Sequence, residues 1–199
     1  SALLVEKNTP GLSFGNNEEK MGWKSQPTAQ VIFDDCHVSS KKLLGEENKG
    51  FIYAMQGLDG GRLNIAAAAL GGAQTALNIA KKYIKERKAF GKSLSEFQGL
   101  QFKVADMEIA INSSRTFLRE AAWKLDNAKS DAAVYCAMAK KFVTDNSFNI
   151  ANNSLQLLGG YGYLADYGIE KIVRDLRVHQ ILEGTNEIMQ LIVARDSLK

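Results

Sequence analysis

From residue 50 onward the apolar positions settle into alternating steps of four and three: Phe51, Met55, Leu58, Arg62, Ile65, Ala69, Gly72, Ala76, Ile79 and Tyr83. A helix of 3.6 residues per turn gathers such positions onto one face, so the stretch predicts a long helix with these residues as its seam. The alternation recurs at Leu100, Val104, Met107, Ile111, Ser114, Leu118, Ala121 and Leu125, and more loosely at Val134, Met138, Phe142, Ile150 and Leu157, which predicts two more. Glycines at 91, 99, 159, 160, 162, 168 and 184 punctuate these stretches, and two shorter helical segments, over 165–177 and 185–198, complete the chain. The expected fold class is mainly α: an antiparallel bundle of three long and two short helices, preceded by part of a β domain. A helix over 50–86 would run roughly 55 Å, longer than a bundle of this size needs, which predicts packing against another domain or subunit.

The first 45 residues read differently. Both prolines, Pro10 and Pro27, lie there, and β-type runs at Ala2-Leu3-Leu4-Val5 and Gln30-Val31-Ile32-Phe33 sit between turn clusters such as Thr9-Pro10-Gly11 and Gly15-Asn16-Asn17. Two or three such strands leave open edges and one uncovered face. The expectation is therefore that residues 1–45 are the end of a middle β domain and residues 46–199 the helical bundle.

Composition narrows the function classes. The 25 basic and 22 acidic residues are interspersed, and the longest basic runs are the pairs Lys81-Lys82 and Lys140-Lys141, so nucleic acid is not an expected partner. A mildly basic surface suits a phosphate-bearing ligand. Two cysteines, Cys36 and Cys136, build neither a disulfide framework nor a CxxC metal spacing, which favours a reducing compartment. The two histidines, His37 and His179, lack an ExxH spacing, and no metal is expected. No apolar run approaches the length of a membrane span, and the first residues lack the pattern of a signal peptide, so no membrane association is expected.

Four stretches carry a joint signature: Glu86-Arg87-Lys88-Ala89-Phe90-Gly91 with Gln98 after it, Gln156-Leu157-Leu158-Gly159-Gly160-Tyr161-Gly162, Val173-Arg174-Asp175, and Ile181-Leu182-Glu183-Gly184-Thr185-Asn186-Glu187-Ile188. Each alone is weak; in this order and spacing they resemble the acyl-CoA dehydrogenases. The likeness covers essentially the whole chain. Leu182, the run from Arg177 to Gly184, and the stretches Thr9–Gly15 and Gly22–Thr28 look most like the branch acting on isobutyryl-CoA. The resemblance implies a subunit of about twice this length, with a helical amino-terminal domain, a middle β domain and a carboxy-terminal bundle, assembled as a dimer of dimers. It also implies FAD as cofactor, an acyl-CoA as substrate and electron-transfer flavoprotein as electron acceptor. The implied compartment is the mitochondrial matrix in a eukaryote and the cytoplasm otherwise.

Carried onto this sequence, the resemblance makes Glu183 the base that removes the α-proton of the thioester, a task that needs a carboxylate at that carbon. Gly184 permits a tight turn after it and Thr185 can cap the helix that follows. Some branches carry the base instead on the first long helix, directly before an arginine matching Arg62; here that position is Gly61. Asp59, Gly60, Gly61 and Arg62 match the segment that meets the acyl-CoA, and Arg195 a further substrate-side position. Arg87, Phe90, Phe97 and Gln98 match positions that hold the flavin dinucleotide, as do Thr185, Asn186 and Glu187. Gln156, Leu157, Leu158, Gly159 and Gly160 match the segment facing the adenine end of a flavin from a neighbouring subunit.

Plainer roles compete with each of these. The plainer alternatives are Glu183 as an exposed glutamate before a helix cap, Arg62 as an arginine snorkelling from its helix, the Leu-Leu-Gly-Gly run as a helix C-cap, and Arg195 as a last-turn cation facing the helix dipole. As a whole, the chain also fits a helical oligomerisation module without turnover of its own, or a dehydrogenase for another short-chain acyl-CoA.

Overall fold

The computed structural model describes all of residues 1–199, in two compact units, residues 1–58 and 59–199. In the first, β1 (Ala2–Leu3) pairs antiparallel with β4 (Leu43–Leu44), and β2 (Leu12–Phe14) pairs antiparallel with β3 (Val31–Phe33), with Ser13 opposite Ile32. β1 and β3 fall inside the two predicted β runs but are shorter, and their partners β2 and β4 lie outside those runs. Leu3, Leu4, Phe14, Val31, Ile32 and Phe33 are all exposed, as expected of two-stranded ribbons with no second layer inside this unit.

The helices follow the predicted order. They are α1 (Gly50–Glu86), α2 (Gln98–Asp126), α3 (Ala132–Leu158), α4 (Ile169–Arg177) and α5 (Asn186–Ser197). Residues 59–86 of α1 belong to the second unit. Between α1 and α2 lies a hairpin that periodicity did not reveal, β5 (Lys88–Ala89) paired with β6 (Lys92–Ser93). Its central residues, Phe90 and Gly91, have φ of 51° and 82°, the left-handed geometry that matches the twist of a tight hairpin. The expected segment 165–177 divides: a 3-10 turn over 165–167 ends at Gly168, with φ 67°, and α4 begins at Ile169. Thr185 caps α5 as anticipated, its Oγ1 accepting a hydrogen bond from the Ile188 amide at 3.4 Å.

The core corrects the predicted seam of α1. Its buried face runs through Leu63, Ala66, Ala69, Leu70, Ala73, Ala76, Leu77, Ala80 and Ile84, whereas Phe51 and Met55 are exposed and Ile65, Gly72, Ile79 and Tyr83 lie at the margin. Close approach of α1 to its neighbours selects alanines, and the larger side chains that marked the periodicity are displaced to the edges of the contact. These alanines pack with Met107 and Ile111 of α2 and with Val143, Ile150, Leu157 and Leu158 of α3. Lys81 of α1 pairs with Glu108 of α2 at 2.6 Å, and Arg115 donates to Gln74 at 2.7 Å.

Along α3 the buried stripe is partly polar. Lys140, Thr144, Ser147 and Ser154 are fully buried, while Phe142, placed on the expected seam, is exposed. Buried polar groups on a packed helix require internal partners, and those of Lys140 and Thr144 lie around the turn that precedes α5.

Candidate functional site

After a 3-10 turn at Val178–Gln180 the chain makes a tight reversal before α5. Glu183 has φ 58° and Gly184 φ 87°. The left-handed region costs a residue with a side chain roughly 1–2 kcal/mol, so Glu183 needs surroundings that hold it there. Gln180, Gly184 and Asn186 supply the anchoring points.

All three are tied to one face of α3. The Lys140 ammonium donates to the Gly184 carbonyl and to Asn186 Oδ1, both at 2.8 Å. In turn, Asn186 Nδ2 donates to Asp145 Oδ1 at 2.6 Å and to Thr144 Oγ1 at 3.0 Å. Gln180 Nε2 also donates to Asp145 Oδ1, at 2.7 Å. Burial pushes the Lys140 amine down to about 8, against the opposing pull of Asp145, Glu187 and Glu183. His179, on the same turn, is buried and pushed down to about 4 by desolvation, with the Asp175 charge acting the other way.

The half-buried Glu183 carboxylate rests against α1 at Gly61. A Cβ built on Gly61 would stand 2.9 Å from Glu183 Cδ and run into Oε2, so only glycine leaves this carboxylate its place. Next to it Arg62 is buried and pairs with Asp59 Oδ1 at 2.6 Å, which removes the snorkelling reading. The Arg62 Nε is buried without a hydrogen-bond partner. Cys136 is fully buried, and its thiol is pushed up to about 11 by burial and then by the Asp59 charge, so it is unreactive here. Gly60 is open on its side-chain face, with nothing within 4 Å of an added Cβ. The structure therefore brings Asp59, Gly61, Arg62 and Glu183 into one neighbourhood, from segments about 120 residues apart.

A second group forms around the hairpin. Phe90 projects from the β5–β6 turn at 95% exposure, edge-on to Phe97 with ring centroids 6.4 Å apart, and the Lys92 ammonium lies 4.3 Å from the Phe97 ring centre. The Arg87 guanidinium lies over Tyr161, 5.7 Å from its centre, and Tyr161 packs with Tyr83 and Tyr167. Two sequence-predicted segments, 86–98 and 156–162, thus meet. Gln98 opens α2 with its side chain exposed, and Gln156 is exposed near the end of α3. Gly159 caps α3 with φ 58° and donates its amide to the Gln156 carbonyl, so the C-cap reading of this run holds as well. Gly159 and Gly160 present open backbone, whereas the side chains of Leu157 and Leu158 are committed to the core.

The remaining predicted residues separate. Asn186 belongs to the network under Glu183, Thr185 caps α5 beside it, and Glu187 is exposed in the first turn of α5, its carboxyl held below the usual range by its own backbone amide and the Thr185 hydroxyl. Arg195 is exposed in the last turn of α5, and no hydrogen bond or ion pair joins it to the Glu183 group. Lys140, Thr144, Asp145 and Gln180 were not foreseen as parts of a site. The signal lay in the helical spacing of Lys140, Thr144, Ser147 and Ser154, a polar stripe where periodicity had been read from apolar residues alone.

A family model described as Acyl-CoA dehydrogenase, C-terminal domain, matches residues 48–198. The mitochondrial isobutyryl-CoA dehydrogenase of Dictyostelium discoideum is 53% identical over 199 residues, all of this chain and 48% of that protein. The mitochondrial short-chain specific acyl-CoA dehydrogenase of Mus musculus is 43% identical, again over all of this chain and 48% of that protein. Among solved structures, butyryl-CoA dehydrogenase from Megasphaera elsdenii superposes with a TM-score of 0.96 at 40% identity, covering 99% of this chain and 51% of that one. The chain thus spans about half the length of the relatives it matches.

Proposed function

The chain belongs to the acyl-CoA dehydrogenase family, whose carboxy-terminal domain it carries, and from that premise we propose that it serves α,β-dehydrogenation of a short branched acyl-CoA, isobutyryl-CoA to methacrylyl-CoA, with Glu183 as the base. The observation that carries this reading is the Glu183 carboxylate lodged against Gly61 beside the Asp59–Arg62 pair. A half-buried carboxylate so confined suits removal of the weakly acidic proton α to a thioester. Arg62, held in place by Asp59, suits the polar part of the acyl-CoA.

The exposed residues fit FAD. A bare aromatic edge at Phe90, the Arg87 guanidinium and the side-chain-free backbone at Gly159 and Gly160 suit a ring system and a pyrophosphate that need close approach. When bound, FAD supplies an acceptor for the hydride that leaves the β-carbon. Arg87, Phe90, Phe97 and Gln98 would hold one cofactor, and Gln156 with Gly159 and Gly160 the adenine end of a neighbouring subunit's. Thr185 and Glu187 would meet the cofactor from the start of α5. Leu157 and Leu158 would contribute only backbone, and Asn186, whose amide is engaged by Lys140, Thr144 and Asp145, would act through the shape of the turn.

The higher identity to isobutyryl-CoA dehydrogenase than to the short-chain specific enzyme supports the branched substrate. On this reading residues 1–45 end a middle β domain and 46–199 form the bundle of a tetrameric subunit that passes electrons to electron-transfer flavoprotein, in the mitochondrial matrix of a eukaryote. The test is anaerobic mixing of the full-length, FAD-loaded protein with isobutyryl-CoA, butyryl-CoA and 2-methylbutyryl-CoA while the visible flavin band is followed. Fastest bleaching by isobutyryl-CoA is expected; a preference for butyryl-CoA would move the protein to the straight-chain branch. Since one methylene discriminates by only about 1–3 kcal/mol, rates rather than end points must be compared.

Exposed apolar side chains on α1 and α2, Phe51, Ile52, Phe102 and Ile109 among them, favour a second role for the same bundle as an association module. Flavin retention separates the two. A chain that associates, holds no flavin and bleaches none is a module only.

A further inference from the structure

We propose that Lys140 is a positioning residue for the catalytic base, holding the turn that carries Glu183 by hydrogen bonds from α3 to the residues that follow it; this rests on the reading of Glu183 as the base. The Lys140 ammonium, fully buried, bridges two acceptors at 2.8 Å, the Gly184 carbonyl and Asn186 Oδ1. The first belongs to the Gly184–Thr185 peptide, one residue past Glu183. Holding it restrains the reversal through Glu183 and Gly184 from its far side, and Glu183 itself sits at φ 58°, where a side-chain-bearing residue stays only if its surroundings over-determine it. The second acceptor continues the restraint: Asn186 reaches Asp145 and Thr144, and Asp145 is also bonded by Gln180, three residues before Glu183. One face of α3 thus pins the turn at 180, 184 and 186.

Packing alone does not call for an amine there. Burying an ammonium is unfavourable unless it is hydrogen-bonded, and a methionine of similar length would fill the same space in a helix core. What the amine adds is two donors with a common origin, fixing a carbonyl and a side chain relative to each other. The groups whose charge bears on it are Asp145 of its own helix, Glu187 of α5, Arg62 of α1 and Glu183 itself. Of these, Arg62 is the buried partner of Asp59 beside Gly61, so the base and a substrate-side neighbour both act electrostatically on the one amine.

The test uses Lys140→Met in the full-length, FAD-loaded protein, with Glu183→Gln as a parallel control and turnover expressed per bound flavin. The expected result is a loss of roughly 100-fold in kcat, the effect of misplacing a reacting group by about 1 Å, with KM within about threefold and flavin content unchanged. The isotope effect with α-deuterated isobutyryl-CoA should rise, because proton removal becomes slower relative to every other step; a merely structural residue would lower the active fraction and leave that ratio alone. Turnover within about twofold of the parent, or an unchanged isotope effect, would overturn the positioning role. Where Lys140→Met does not fold, Lys140→Gln, which keeps one donor, is expected to fold and show a smaller loss with the same rise in isotope effect. Failure of both to fold, while Thr144→Val folds, would make Lys140 a core residue and overturn the proposal. Wild-type turnover in Glu183→Gln would instead remove the base itself, a failure separate from anything Lys140→Met reports.

Discussion

The two parts of the bundle that bear on function are built in opposite ways. Around Glu183 the polar groups face inward: Lys140, Asn186, Thr144, Asp145 and Gln180 satisfy one another beneath the turn, and the carboxylate comes to rest on a glycine of α1. Around the β5–β6 hairpin the groups face outward, with Phe90 almost wholly exposed and Arg87 held by a single ring contact. The first arrangement specifies where one carboxylate stands, because its hydrogen bonds are buried or partly buried and losing one leaves a polar group stranded. The second displays a surface. Its contacts lie in water, contribute little to folding, and leave the residues free for another molecule. A chemical step depends on position and a cofactor's grip depends on accessible area, and the same bundle provides the two at different places.

Substitutions divide along this line, and the largest effect is expected at the centre of the inward-facing group. Glu183→Gln, in the full-length protein, should keep flavin and ligand and lose turnover by roughly 10²–10⁴-fold, the contribution of a positioned general base; stopped-flow reduction of the flavin reads it directly.

Acid should act next. His179 is neutral in the fold, with its pKa pushed down to about 4 from an ordinary 6.5, so between these values the unfolded chain holds the extra proton. Stability is therefore full above pH 6.5 and falls as pH is lowered through the window to 4, by roughly 3 kcal/mol at most. Urea midpoints measured at several pH values should decline across it, and His179→Gln should flatten the decline. An unchanged slope in that variant would assign the acid limb to other groups.

Gly61→Ala tests the seat of the carboxylate. The new methyl group meets only the far end of the Glu183 side chain, which can swing away, so the helix should gain about 0.5–1 kcal/mol from the better helix former. Activity should nonetheless fall by about 100-fold, since the carboxylate can no longer rest where it did. A variant that is both more stable and fully active would show that the seat is not used.

The smallest effect is expected at the outward-facing group: Arg87→Ala should weaken FAD retention by on the order of tenfold, the loss of one charge-assisted contact. Its thermal midpoint should stay near that of the parent, because an exposed side chain leaves little behind in the core. Equal losses of stability in Arg87→Ala and Lys140→Met would erase the distinction between the two regions.

Periodicity located the three long helices, because each buries a stripe and a stripe repeats at the pitch of the helix, and glycine punctuation set off the two short ones; the Thr185 cap and the turn at Gly184 were legible for equally local reasons. The signature stretches identified the family and nominated Glu183, Arg62 and Arg87. What the linear pattern misjudged was anything set by the distance between helices. The α1 seam drifted because alanines, not the larger side chains, fill a close contact, and Phe142 looked like core on a helix whose buried stripe is partly polar. Lys140 passed as half of a surface pair of lysines, since nothing in its neighbours along the chain reveals that acceptors 44 and 46 residues away converge on it. That Gly61 and Glu183 occupy one place was likewise a tertiary fact. Local patterns decide where the backbone coils and turns; only packing brings distant donors and acceptors within hydrogen-bond range, and it is there that a buried charge becomes affordable and a carboxylate acquires a fixed position.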